Sequence, residues 1–247
     1  MIKIENVTKV FGRTVAVDGL NLTIKAGEVF GLLGPNGAGK TTTLKMLAGL
    51  LIPTAGTMTV DGHDVQKKPI AAKRIIGFVP DKPFIYEKLS GKEFLEFVRE
   101  VFRVNSDPSV MERQKALIRM FMLEGWMDEL VESYSHGMRQ KLIITSALTH
   151  NPKALIIDEP MVGLDALGMR QVKGLFRELA AGGATVLVST HTMAVAQEVC
   201  DRIAILNKGR IAAMGTMEEL AATAHMRGED LETIFLKLTE PGYQAGD

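Results

Sequence analysis

The chain predicts an α/β fold, on three observations. Short apolar runs of strand length alternate with segments of helical periodicity through the C-terminal half. A glycine-rich turn at residues 34–39 separates an apolar run from an amphipathic segment. A second apolar run, residues 154–157, ends on the paired carboxylates Asp158 and Glu159, as expected where a buried parallel strand delivers polar groups to the carboxyl edge of a sheet.

The elements follow in order. Ile2, Ile4 and Val7, then Val15, Val17, Leu20, Leu22 and Ile24, alternate loosely with polar residues. This predicts antiparallel strands with one buried face, joined at Gly12 and Arg13. Residues 28–33 read as a buried parallel strand, and a helix follows with Leu44, Leu47, Ala48 and Leu51 on one side. Residues 57–60 and 75–79 are further strands. From about residue 84 to 151 the texture changes to a mostly helical insert. There Phe94, Phe97, Val98, Val101 and Phe102 fall at helical spacing, as do Leu117, Met120 and Phe121, placing helices at 94–103 and 110–123. Strands at 154–158, 185–189 and 203–206 then alternate with helices at 171–181 and 193–199. The tail, 218–238, reads as helical, with Leu231, Ile234, Phe235 and Leu238 periodic.

Composition narrows the classes. The 247 residues are 46% hydrophobic and 23% charged, which excludes a disordered chain, a collagen and a disulfide-stapled mini-protein. Lys+Arg and Asp+Glu are 29 each, so the net charge is zero and a nucleic-acid partner is not expected. The single cysteine, Cys200, forbids an intrachain disulfide and reads as a packed thiol, fitting a reducing compartment. No segment reaches the ~18 consecutive apolar residues of a membrane span, and the N-terminus lacks a basic-then-apolar leader. The expected place is the cytoplasm, with any membrane association made through a partner.

Gly34, Pro35, Asn36, Gly37, Ala38, Gly39, Lys40 and Thr41 match the phosphate-binding pattern G-x-x-x-x-G-K-[ST] at every fixed position. Glycines let successive backbone N–H groups turn inward as an anion nest, and the following helix start adds partial positive charge. Lys40 is expected to reach the β and γ phosphates, Thr41 to ligate Mg²⁺, and Thr42 to donate near the α phosphate. Asp158 would hold the same Mg²⁺, and Glu159 would polarise the attacking water. Alone, each feature has a plain reading, a glycine-rich turn or a solvated acidic loop. Together in one chain they point to hydrolysis of a nucleoside triphosphate, as many P-loop NTPases carry out.

Beyond these, the chain resembles the ATP-binding cassette (ABC) ATPases. Tyr134, Ser135, His136, Gly137 and Met138 stand about twenty residues before the acidic strand and look like that family's signature loop, usually L-S-G-G-Q. Gly163, Leu164 and Asp165 follow Glu159 at the spacing of its D-loop. Thr190 and His191 close a strand as its switch histidine does, and Phe11 occupies its adenine-stacking position. Singly, Phe11 reads as core, His191 as a satisfied histidine, and Ser135, Gly137 and Asp165 as helix-capping turns. The ordered set carries the resemblance, from residue 2 to about 215.

The resemblance implies a P-loop NTPase core with a mixed sheet, an N-terminal antiparallel β subdomain and an inserted α-helical subdomain. The expected division is an ATPase domain over 1–215, with 1–83 and 152–215 as catalytic core and 84–151 as helical subdomain, followed by a helical extension over 216–247. It also implies a homodimer or heterodimer of cassettes around two MgATP, each Ser135 and Gly137 covering the nucleotide of the other chain. Glu159, His191 and Lys40 become the catalytic group, and Asp165 communicates across the interface. A separate integral membrane transporter subunit would be driven from the cytoplasmic face of the membrane. The alternatives are a soluble ABC ATPase serving a nucleic-acid, ribosome or cofactor-assembly complex, or a non-catalytic nucleotide-gated scaffold.

Three positions depart from the family pattern. Asp81 stands where the family has a Gln that completes the Mg²⁺ and water site, and this resembles a subset of exporter-type cassettes. His136 replaces a Gly, and Met138 a Gln. The segment Pro83, Phe84, Ile85 and Tyr86 presents three large apolar side chains as a docking candidate, or as packing for the helical insert.

Overall fold

The computed structural model describes residues 1–82, 84–105, 107–226 and 228–239. Two sheets organise the chain. β1 (Ile2–Phe11) and β2 (Thr14–Ile24) pair antiparallel from Ile2 opposite Ile24 to Phe11 opposite Thr14. With β4 (Ala55–Val60) and the two-residue β5 (His63–Asp64) they form a four-stranded sheet ordered β2-β1-β4-β5. The period-2 alternation places Ile2, Ile4, Leu20, Leu22 and Ile24 on its buried face.

The central sheet contains β3 (Val29–Leu33), β6 (Ile76–Val79), β7 (Ala154–Asp158), β8 (Thr185–Thr190), β9 (Arg202–Asn207) and β10 (Arg210–Gly215). Its order is β10-β9-β3-β8-β7-β6. All pairs are parallel except β10 with β9, so the sheet is mixed. The parallel strands β3, β7 and β8 are buried along their whole length, which is why their central residues read as apolar runs, with Asp158, Ser189 and Thr190 at the carboxyl ends.

α1 (Lys40–Leu47) follows β3 directly, and α2 (Pro69–Lys73) precedes β6. The insert holds α3 (Gly91–Phe102), α4 (Pro108–Met120) and α5 (His136–Ala147). α3 starts on a reciprocal cap in which Ser90 Oγ accepts from Glu93 N and Glu93 Oε2 accepts from Ser90 N. Phe94, Leu95, Leu117, Phe121, Leu142 and Ile144 join Val79, Leu155, Ile157, Val186 and Val188 in one apolar cluster. The insert is thereby packed onto one face of the central sheet. α6 (Ala166–Ala181) and α7 (Met193–Val199) complete the α/β alternation.

The helical tail is divided. α8 (Met217–Thr223) and α9 (Leu231–Thr239) are separated where His225 and Gly228 take positive φ and Asp230 Oδ1 accepts from Thr233 N to open a new helix. Leu220, Leu231, Ile234 and Leu238 pack against Leu33, Ile203 and Ile205. Residues 240–247 of the expected extension lie outside the described residues. α6 begins five residues earlier than the sequence pattern predicts. Asp165 Oδ1 accepts from Gly168 N, and this cap sets the start before the apolar periodicity does.

Candidate functional site

The site grows from the turn between β3 and α1. Gly39 is the cap of α1 at φ +105, and a Cβ there would stand 2.5 Å from Ala16 O. Only glycine fits, so the turn can pass close under β2. Phe11, Ala16, Asn36, Gly37, Ala38, Gly39, Lys40, Thr41 and Thr42 line one pocket of about 300 Å³. Phe11 is 45% exposed, and the Lys9 ammonium lies 4.9 Å from its ring centroid. Gly34 lies behind the pocket against Leu206 O. Ala16 and Lys9 carry no motif, and only the β1–β2 pairing brings them here.

Lys40 is buried and folds onto the turn itself. Its Nζ donates to Gly34 O at 2.7 Å and Pro35 O at 3.2 Å. Burial lowers the ammonium from its usual value, opposed by the Glu159 and Asp158 carboxylates. Thr41 Oγ1 donates to Asp158 Oδ2 at 2.7 Å, joining two segments 117 positions apart. One hydroxyl and one carboxylate of a buried Asp form a hard-oxygen pair beside the phosphate turn. Mg²⁺ is held by one or two carboxylates with substrate phosphates rather than by an all-protein cage, and the donors fit that habit.

Glu159 follows Asp158 in the left-handed region, at φ +50, and its N–H donates to Ser189 O at 2.8 Å. That backbone turn sends its carboxylate across to the end of β8. Oε1 accepts from His191 N at 3.0 Å and from His191 Nδ1 at 2.7 Å, and Oε2 accepts from Thr190 Oγ1 at 3.1 Å. The sequence singles out Glu159 and His191 separately. Their pairing, and the part of the Thr190 hydroxyl in it, depend on β7 and β8 being neighbours.

Ser135, Gly137 and Asp165 do not line the nucleotide-sized pocket of this chain. Ser135 caps α5, its Oγ accepting from Met138 N at 3.2 Å. Asp165 caps α6 and lies 3.7 Å from Lys141 Nζ. The Gly168 N–H, then Lys141, hold the Asp165 carboxyl below its usual range. Just inside α5, Arg139 is tied by three bonds that no motif announced: Nε to Tyr134 O, Nη2 to Glu132 O and Nη1 to Glu87 Oε1.

Asp81 emerges two residues beyond β6, whose Val79 pairs with Ile157 of β7. It lines a groove of about 890 Å³ with Phe84, Tyr86, Phe97, His136 and Arg139. Phe84 is 84% exposed, and Phe84, Tyr86 and Phe97 stack edge to face in series. Ile85 is buried instead, so two of the three apolar side chains expected here face outward. Pro83 lies outside the described residues.

Fold and pocket together define a nucleotide-binding ATPase of the P-loop class. Residues 17–162 match the ABC transporter family. The chain is 40% identical over 222 residues to the daunorubicin/doxorubicin resistance ATP-binding protein DrrA of Streptomyces peucetius, covering 90% of this chain and 67% of that one. It superposes on a solved ATP-binding subunit of an ABC transporter with a TM-score of 0.93 at 31% identity, covering 97% and 100%. It also superposes on the dimeric cassette MJ0796 in a post-hydrolysis state with ADP and Pi, with a TM-score of 0.77 at 29% identity, covering 88% and 99%. The chain belongs to the ABC transporter family, as an ATP-binding and ATP-hydrolysing subunit. Among the described residues no helix is long and apolar enough to cross a membrane.

Proposed function

We propose that the chain works as a nucleotide-gated dimer whose two MgATP sites are shared between protomers and that it drives a separate membrane subunit in export. The observation that carries this reading is the fixed Glu159 carboxylate, held by Thr190 and His191 directly after the Asp158–Thr41 pair at the mouth of the phosphate turn. A carboxylate so anchored can orient water and accept its proton.

Adenine stacks on Phe11. The phosphates enter the nest of residues 34–39, and Lys40 swings from Gly34 O and Pro35 O to the β and γ phosphates. Thr42 donates near the α phosphate. Thr41 and Asp158 would hold Mg²⁺, with Asp81 at one water's remove, and the ion would neutralise developing phosphate charge when bound. Ser135 and Gly137 of a second chain close over the γ phosphate from a helix start. Closure excludes water and completes the site. Glu159 then takes the proton of the attacking water. His191 keeps Glu159 oriented through Nδ1 and places Nε2 toward the γ phosphate. Loss of that phosphate removes the contacts that favour the closed dimer, and Asp165 passes the change across the interface.

The groove between Asp81 and α5 is the surface we assign to the membrane subunit. Its exposed aromatics and the Arg139–Glu87 bond connect that groove to the signature turn. The resistance function in the name of DrrA and the acidic Asp81 support transport outward, from the cytoplasmic face of the membrane.

The test is Glu159→Gln with MgATP. Turnover should fall by two to four orders of magnitude, the range of a lost general base, while a dimer accumulates on size-exclusion chromatography. A folded Glu159→Gln protein that binds ATP yet stays monomeric would overturn the shared-site reading.

A further inference from the structure

His136 is the first residue of α5, between the cap Ser135 and Gly137. Its imidazole lies directly on Gly163, which takes φ +78. A Cβ built on Gly163 would overlap Cδ2 of the ring and stand 2.8 Å from Nε2. The next residue closes on the same point, for a Cβ on Gly137 would lie 2.6 Å from Gly163 O. One turn further along α5, Lys141 Nζ lies 3.7 Å from Asp165. The first turn of α5 and the loop after Glu159 thus touch at successive places, with the ring of His136 against Gly163.

We propose that His136 is a positioning residue for ATP hydrolysis. Its ring keys the Ser135–Gly137 turn to Gly163 of the same chain, so that both reach the partner's nucleotide as one rigid unit. This rests on the shared-site reading above. The physical ground is steric. The ring occupies the space a side chain at 163 would need, and without it the Gly137–Gly163 approach and the longer Lys141–Asp165 contact are left to set the spacing of the two loops. His136 is not placed in the nucleotide pocket, so its effect should fall on closure and leave first binding alone.

The experiment is a double-mutant cycle in the Glu159→Gln background. ADP affinity reports the pocket of one chain, and the MgATP concentration giving half-maximal dimer reports closure. His136→Gly should leave ADP affinity within twofold and raise the dimer midpoint at least fivefold. His136→Phe, which keeps a ring at the seam, should restore most of that loss. Gly163→Ala should raise the midpoint at least tenfold beside His136 but no more than threefold beside His136→Gly, because the strain at φ +78 is common to both and cancels. His136→Gly at an exposed position keeps the test independent of whether Gly163→Ala folds, and circular dichroism monitors each variant. An unchanged midpoint in His136→Gly, equal costs of Gly163→Ala in both backgrounds, or a loss in His136→Phe as large as in His136→Gly would each overturn the proposal while leaving the shared site standing. Absence of any dimer in the parent Glu159→Gln protein would remove the shared site itself, and this proposal with it.

Discussion

Replacing His191 with alanine tests how Glu159 is held. Glu159 accepts three hydrogen bonds, from Thr190 Oγ1 at 3.1 Å, His191 N at 3.0 Å and His191 Nδ1 at 2.7 Å. His191→Ala removes the shortest and keeps the other two, so the carboxylate is loosened and not released. A hydrogen bond to a charged group contributes about 1.5–3 kcal/mol. At about 1.4 kcal/mol per decade of rate, kcat should fall roughly 10- to 150-fold, less than or comparable to the loss from Glu159→Gln. Phosphate release at saturating MgATP measures the single variant. Single-turnover hydrolysis of labelled ATP measures the combination with Glu159→Gln. If His191 acts through Glu159, the double variant should be no more than about twofold slower than Glu159→Gln, because groups acting as a unit are not additive. A full repeat of the His191→Ala loss in the double variant would refute positioning through Glu159 and leave the Nε2 contact with the γ phosphate as the histidine's whole contribution.

Two further outcomes follow from the same coordinates. Phe11→Ala should weaken ATP binding about 5- to 150-fold, the ~1–3 kcal/mol of a base stacked on an aromatic ring, with kcat nearly unchanged, as read by steady-state kinetics. His150 is pushed down to about 4 by burial, only partly opposed by its Nε2 bond to Ile76 O at 3.0 Å. Its folded value lies below the unfolded one, so the stability from keeping it neutral is present above about pH 6.5 and is lost as pH falls toward 4. Denaturant unfolding should show roughly 2 kcal/mol less stability at pH 5 than at pH 7 from this group, and His150→Leu should flatten that limb of the profile.

Much of the site is legible along the chain because its parts are local. The phosphate turn, the acidic strand end and the caps Ser135 and Asp165 each need residues only a few positions apart, and their spacing encodes their shape. What sequence cannot supply is the pairing of strands distant in the chain. The Glu159–His191 contact, the Thr41–Asp158 bond and the approach of Ala16 to Gly39 all depend on sheet order. The misread boundaries have local causes. Apolar periodicity begins late in α6 because Ala166 and Leu167 in its first turn are exposed. The tail reads as one helix because apolar residues stand on both sides of the break that His225, Gly228 and Asp230 impose, Leu220 and Ala221 before it and Leu231 and Ile234 after it. Ile85 packs inward while Phe84 and Tyr86 on either side of it face out, so a run of three apolar residues divides between core and surface.

α5 is anchored unequally. Its C-terminal end is fixed to the sheet, where Gly77 fits against Ala147 O and His150, stacked on Phe102, bonds Ile76 O. Its other end carries Ser135 and His136. Twelve residues at ~1.5 Å each give a rod of about 18 Å. Tilting such a rod by about 10° about its fixed end displaces the tip by roughly 3 Å, the length of one hydrogen bond. Arg139 stands about 12 Å from the fixed end and moves roughly 2 Å in the same tilt, so a shift of Glu87 and Arg139 in the groove would reach the Ser135 end enlarged about 1.5-fold.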